Sequence, residues 1–270
     1  MKIGVMTSSF RKPFMEAIEA ATALGVEGLQ IWATNITHYH PDRPLGELDP
    51  DLITDNERRE LLRELSDRGI EISALCGDLG RGFLEPEHLE EDIAKTKRMM
   101  EMAASMEVRV LTSHIGRLPD DRNDPNYHTA LEALEEIGAY GDKVGVFFAT
   151  ETGPESGAAL GDFLGGMRAQ SLKANYDPAN LVLRGFDPIQ GVRDLKGFIV
   201  HTHAKDAVGQ GPEQGEAPLG KGIVPWGDYL KALQDIGYDG YLTIERETGD
   251  DPAEDIATAV TFLRKQLALL

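Results

Sequence analysis

The chain has 270 residues, of which 41% are hydrophobic and 27% charged, and its net charge is −19. That length suits one α/β barrel of about 250 residues, and so acidic a surface repels phosphate backbones, so nucleic acid is not an expected partner. No run reaches the roughly 18 unbroken apolar residues of a membrane span, the opening run reads as a strand rather than a signal peptide, and the single Cys76 rules out an internal disulfide framework, so a cytoplasmic protein without a membrane partner is expected.

Strand and helix signals alternate from end to end. Residues 2–6 are short and apolar and predict a strand. Pro13 then opens a helix with apolar positions at Phe14, Ala17, Ile18 and Ala21, closed by Gly25. A second strand covers 28–32. Residues 33–51 hold His38, Tyr39, His40 and three prolines and read as a long surface loop. A charged amphipathic helix is predicted over 52–68, closed by Gly69, then a strand over 70–75 and a turn-rich segment over 76–82. The helix at 87–106 places acidic residues ahead of basic ones at helical spacing. Further strands follow at 108–113, 145–150, 172–176, 198–202 and 240–244. Helices are predicted at 126–143, 159–170, 188–195, 226–236 and 252–269, and 207–225 reads as a loop.

This makes eight β-then-α units with no composition break that would mark a linker. Short apolar strands without clean alternation suit a parallel sheet covered on both faces. Eight units with none missing predict a closed (β/α)8 TIM barrel, a single barrel over 1–270, rather than an open doubly wound sheet. No early glycine-rich strand-turn-helix fingerprint supports a dinucleotide site.

In such a barrel the C-terminal strand ends carry the active site. Four consecutive predicted strands end in polar residues there: Glu151, Asp177, His203 and Glu245. Each alone has an ordinary explanation, as a helix cap, a surface charge or a hydrogen-bonded histidine. Together they would put three carboxylates in one mouth, which cannot all stay ionised unless a cation sits between them. One divalent metal is therefore expected. The mixed oxygen and nitrogen set suits Mn²⁺, Co²⁺ or Zn²⁺, with Mg²⁺ also possible, and the lack of thiolates argues against a closed structural zinc site. Counting back by twos, Ala149 and Phe147 share the face of Glu151, Thr243 and Tyr241 that of Glu245, and His201 that of His203. A largely apolar barrel interior with one polar layer on top is the expectation.

These pieces resemble the xylose isomerase-like TIM-barrel superfamily, in particular its sugar phosphate isomerase/epimerase and ketose 3-epimerase branch. The resemblance rests on Thr150-Glu151-Thr152-Gly153, Tyr176-Asp177-Pro178-Ala179-Asn180, His201-Thr202-His203-Ala204-Lys205-Asp206 and Leu242-Thr243-Ile244-Glu245. Pro218-Leu219-Gly220-Lys221-Gly222 followed by Trp226 adds to it. It spans essentially the whole chain. It implies that Glu151, Asp177, His203 and Glu245 are the metal ligands, Mn²⁺ foremost, and that Glu151 and Glu245 double as catalytic acid and base. The implied reaction is isomerisation or epimerisation of a small sugar or polyol by proton removal beside a carbonyl, through a metal-stabilised enediolate. Homo-oligomer formation stays open.

Further residues are candidates for substrate binding. His114 ends the fourth strand and either lines the mouth or makes a supporting hydrogen bond. Trp32 forms a substrate wall or packs in the core. Glu155 binds a hydroxyl or is a helix N-terminal charge. Lys205 holds a sugar oxygen or phosphate with Asp206 orienting it, or the two form a surface ion pair. His201 is read as an interior hydrogen-bonding group, Cys76 as a small buried residue, and His38 and His40 as solvated loop residues. Where the ketose 3-epimerases carry a histidine three residues after the aspartate ligand, this chain has Asn180, and their arginine after the metal histidine has no clear counterpart. Other readings within the superfamily are an inosose-type dehydratase, an endonuclease IV-like nuclease and a non-catalytic sugar-binding barrel.

Overall fold

The computed structural model describes residues 1–34, 48–209 and 214–270, so His38, Tyr39 and His40 lie outside the described residues. Seven strands come first in chain order: β1 (Lys2–Met6), β2 (Gly28–Trp32), β3 (Glu71–Cys76), β4 (Val110–Ser113), β5 (Phe147–Glu151), β6 (Leu172–Tyr176) and β7 (Ile199–Ala204). Two short strands, β8 (Asp206–Val208) and β9 (Gly215–Ala217), precede β10 (Tyr241–Ile244). β1 to β7 and β10 close into a parallel barrel in which β10 pairs with both β7 and β1. This is the (β/α)8 TIM barrel expected from the eightfold alternation.

The outer layer consists of α1 (Phe14–Leu24), α2 (Asp55–Asp67), α3 (Leu89–Ser105), α4 (Pro125–Val144), α5 (Gly157–Gly165), α6 (Pro178–Leu183), α7 (Pro188–Asp194), α8 (Trp226–Asp235) and α9 (Pro252–Leu267). Their ends follow local chemistry. Thr54 and Glu57 form a reciprocal capping box at the start of α2. Asp124 caps α4 ahead of Pro125, and Gly145, at φ 77°, ends it in the left-handed conformation. The main apolar core lies between strands and helices and includes Ile18, Leu29, Leu75, Met99, Leu134 and Leu263. It keeps the strand ends rigid, which a site built on them requires.

Two segments differ from the sequence expectation. The predicted loop 207–225 contains an antiparallel hairpin arm, with Asp206 opposite Ala217 and Val208 opposite Gly215. The six-residue α6 follows β6 directly, because Pro178 is preset for the first helical position and Asp177 caps it.

The barrel interior also differs. A small apolar cluster, Ala74, Val110 and Ala149 with Phe147 and Val200, is separate from the main core. Above it lies a polar layer rather than the expected apolar one: Gln30, Thr112, Asn175, His201 and Thr243, all buried and hydrogen-bonded to one another or to the strand ends. Two register irregularities set this layer. Between the pairs Leu29↔Ile72 and Gln30↔Ala74, Ser73 is the extra residue of β3. Between Ala174↔Ile199 and Asn175↔His201, Val200 is the extra residue of β7. Each bulge leaves two residues facing one and resets the alternation downstream.

Candidate metal centre

Glu151, Asp177, His203 and Glu245 converge at the C-terminal end of the barrel. Each offers one ligand atom, and these atoms lie within 4.8 Å of one another. His203 Nδ1 stands 3.2 Å from Glu245 Oε2, 3.5 Å from Glu151 Oε2 and 3.8 Å from Asp177 Oδ2. The backbone positions the group simply: β5 ends at Glu151, Asp177 and Glu245 each follow the last residue of their strand, and His203 is the penultimate residue of β7.

Asp177 divides its two oxygens between tasks. Oδ1 accepts from the amides of Ala179 and Asn180, at 2.8 and 3.2 Å, and so caps α6. Oδ2 is buried with no hydrogen-bond partner, and so is His203 Nδ1. Buried polar atoms are rarely left this way. Here the two orphans face each other within a set of three carboxylates, and a divalent cation would satisfy both while neutralising most of the charge. The residues present therefore fit a metal.

The charges act strongly on one another. Burial opposes an imidazolium at His203, but Glu245 and Glu151 outweigh it and hold its pKa well above the usual value. Burial likewise favours protonation of Glu245, yet His203 and Lys205 hold that carboxyl well below the usual range. Glu151 is lowered by His203 and His114 against the same opposition, whereas burial prevails at Asp177 and raises it.

Lys205 is buried, at 6% exposure, and its Nζ donates to Glu245 Oε2 at 2.9 Å and to Glu247. Asn180 Nδ2 donates to Glu151 Oε1 at 2.8 Å. These two substrate-binding candidates thus touch the two glutamates, one each. His114 sits at the rim: Nδ1 meets Asp78 Oδ2 at 2.5 Å, and Nε2 faces Glu151 Oε1 at 3.7 Å. Burial works against its charge, but Glu151 and Asp78 draw its pKa up to about 10. Because the ring is 49% exposed, solvent screens part of that effect. Trp32 directs its indole N–H to Ser8 Oγ, 3.1 Å away, and is half-buried.

Glu155 is already engaged. Its Oε1 accepts from the Leu118 amide at 2.6 Å, which ties down the segment after β4, and burial raises its pKa. Asp206 has no bond to Lys205 and is not at the surface. Buried at 1% exposure, it accepts from the amides of Ala207, Gly220, Gly222 and Val224 and from the Trp226 indole. It organises the loop 218–226. His201 is fully interior and held neutral by burial, well below the usual imidazole pKa, as its reading as an interior group required. Cys76 is buried, which pushes its thiol pKa up.

Several residues of the site escape sequence reasoning. Gln30 and Asn175 sit inside apolar runs and read as strand interior, while Thr243, already placed on the inward face below Glu245, gives no sign of its bond to His201. Their signal is only their place, two residues before a strand-end polar group for Asn175 and Thr243, and a lone amide within Gly28–Trp32 for Gln30. Asp78 lies in a turn-rich segment that offers no period. Glu216, on β9, accepts from the Glu247 and Thr248 amides and pairs with Arg246, so it fastens the hairpin to the segment that follows Glu245.

A closed eight-stranded barrel with a Glu–Asp–His–Glu cluster at its C-terminal mouth defines the class. Residues 17–266 match the sequence profile of the xylose isomerase-like TIM barrel family, and the chain belongs to that family. Among solved structures, it is similar to a xylose isomerase domain protein from Planctomyces limnophilus, with TM-score 0.80 and 26% identity over 92% of this chain and 91% of that one. D-psicose 3-epimerase from Clostridium cellulolyticum H10, solved with D-tagatose, gives TM-score 0.77 at 17% identity, covering 99% of each chain. The IolI protein, solved with a zinc atom, gives TM-score 0.77 at 16% identity, covering 99% of this chain and 96% of that one. No described helix is long and apolar enough to cross a membrane.

Proposed function

We propose that the protein is a divalent-metal-dependent isomerase or epimerase of a small sugar or polyol, working by proton transfer at the carbon beside a carbonyl. The observation that carries this reading is the pair of glutamates, Glu151 and Glu245, 3.5 and 3.2 Å from an orphaned imidazole nitrogen that also faces an orphaned carboxylate oxygen. Glu151, Asp177, His203 and Glu245 would hold the metal. When bound, it supplies Lewis-acid stabilisation of the negative charge that develops on the substrate oxygens. The mixed ligand set favours Mn²⁺, and the zinc in IolI keeps Zn²⁺ a second choice.

The chain's own groups do the rest. Glu245, kept ionised by His203 and by Lys205 at 2.9 Å, would take the proton. Glu151, held by Asn180 at 2.8 Å, would return a proton to the substrate. Return on the opposite face of the same carbon gives an epimer, and return to the neighbouring carbon, with a proton moving between the two oxygens, gives the isomer. Lys205, His114 and Asn180 offer donors to sugar oxygens, and Trp32 a wall. The D-tagatose in the psicose 3-epimerase structure supports a ketose as the first substrate class to try.

The test is solvent exchange. Mn²⁺-loaded protein in D₂O, given a panel of ketoses, inososes and sugar phosphates, should place deuterium on a carbon beside the carbonyl, as read by NMR. The label should depend on the metal and on Glu245. Turnover without deuterium incorporation, or full activity in protein stripped of metal, defeats the reading.

A further inference from the structure

Beneath the four candidate ligands, two hydrogen-bond chains run through the barrel, one reaching His203 and the other reaching Glu151 and His203. The first starts at the Leu75 carbonyl, which accepts from Thr112 Oγ1 at 3.4 Å. Thr112 Oγ1 in turn accepts from Gln30 Nε2 at 2.8 Å, and Gln30 Oε1 lies 2.9 Å from His203 Nε2. With its amide nitrogen spent on Thr112, Gln30 can present only a carbonyl oxygen to His203. Gln30 Oε1 lies closer to His203 Nε2 than Asn175 Nδ2 does, at 2.9 Å against 3.2 Å, so the geometry directs an Nε2 proton to Gln30 and makes Nδ1, the orphaned atom facing the carboxylates, the nitrogen open to a metal once any proton there is displaced. The second chain starts at Thr243, whose hydroxyl donates to His201 Nε2 at 2.9 Å. His201 Nδ1 donates to Asn175 Oδ1 at 2.8 Å, which turns the Asn175 amide nitrogen toward Glu151 Oε2, 3.3 Å away, and toward His203 Nε2, 3.2 Å away.

We propose that Gln30 and Asn175 are positioning residues that preset the metal centre before any metal arrives. Gln30 fixes the His203 tautomer, and Asn175, locked by His201, holds the Glu151 carboxylate. The inference rests on the reading that these four residues bind a metal. It goes beyond that reading by assigning the centre's order to uncharged interior groups that touch neither substrate nor solvent. All of the relay residues are buried, so water cannot substitute freely for a lost partner.

The experiment compares wild type with Gln30→Met, Gln30→Glu and Asn175→Asp. Methionine keeps the length of glutamine without an acceptor, and glutamate restores the acceptor. Aspartate keeps the acceptor for His201 but loses the donor to Glu151. Zn²⁺ affinity is measured by competition with a chromophoric chelator, and histidine tautomers by ¹⁵N NMR in the Zn²⁺-loaded protein. Wild type should show a proton on His203 Nε2. Q30M should lose about 10- to 100-fold in affinity, with Q30E recovering most of it. Asn175→Asp should weaken binding without changing the His203 tautomer. Wild-type affinity in a folded Q30M, or a wild-type His203 protonated on Nδ1, overturns the Gln30 role. Undiminished affinity in Asn175→Asp overturns the Asn175 role. A wild type that binds no divalent ion removes the metal reading itself, and this first titration separates the two failures. Should Q30M not fold, Thr112→Val frees the Gln30 amide to turn and must weaken binding for the inference to stand.

Discussion

At the scale of single residues, the centre is a problem in charge. Three carboxylates and one imidazole share a few ångströms, and in the metal-free protein the carboxylates hold a proton on His203. A cation must displace that proton to reach Nδ1. Metal binding near neutral pH should therefore release about one proton per site and strengthen as pH rises. Titration calorimetry in two buffers of different ionisation enthalpy measures this directly, and a buffer-independent heat would contradict it. The sign also bears on stability. A raised folded-state pKa means that His203 stabilises the metal-free protein fully below its ordinary value of 6.5, with the contribution lost as pH rises through the raised value. The same proximity makes Glu245 the residue whose loss is most telling. Glu245→Gln keeps its size and should preserve the far-UV circular dichroism spectrum while lowering turnover by about 10²- to 10⁴-fold. An active Gln variant would remove Glu245 from acid/base work.

At the scale of elements, the strand-to-loop junction after β7 is the most heavily braced part of the mouth. Asp206 alone gathers four amides and one indole N–H. Asp206→Asn places a donor where only donors point, and should cost about 1.5–3 kcal/mol in urea unfolding. Gly222→Ala tests the same knot from the other side. Its Cβ would overlap Asp206 Oδ1 and the Ala207 carbonyl, for a loss of about 1–3 kcal/mol. A neutral result for both variants would show that the loop repacks at no cost. This junction also marks what sequence could reveal. The strand ends Glu151, Asp177, His203 and Glu245 stood out because each closes an apolar run, and the eightfold alternation led to the barrel. Strands β8 and β9 are three residues each, too short for any period, and α6 hides directly behind Asp177-Pro178. Asp206 beside Lys205 reads as an ion pair in one dimension, but apart from the adjacent Ala207 its amide partners lie 14 to 18 residues on, from Gly220 to Val224. Gln30 and Asn175 are invisible for a related reason: an isolated amide in a buried strand has meaning only once the strand across the barrel is known.

At the scale of the whole molecule, the net charge of −19 acts on the compact state through self-repulsion. Raising salt from about 10 mM to about 150 mM shortens the screening length from roughly 30 Å to about 8 Å. The melting temperature of the metal-free protein should rise over that interval, and a flat response in scanning calorimetry would show that the charges are too dispersed to matter. Metal should add to this: at about 100 times its dissociation constant a ligand of the folded state contributes about 2.7 kcal/mol. The extra residue Val200 carries a different consequence. It acts as a frame marker, because its insertion decides that His201 and His203, rather than Thr202 and Ala204, face the barrel axis. Two chains could keep all four ligand residues in an alignment and still differ in whether they can assemble the centre, if in one of them β7 runs straight through this position without the bulge. For this centre, where β7 bulges matters as much as which residues the strand carries.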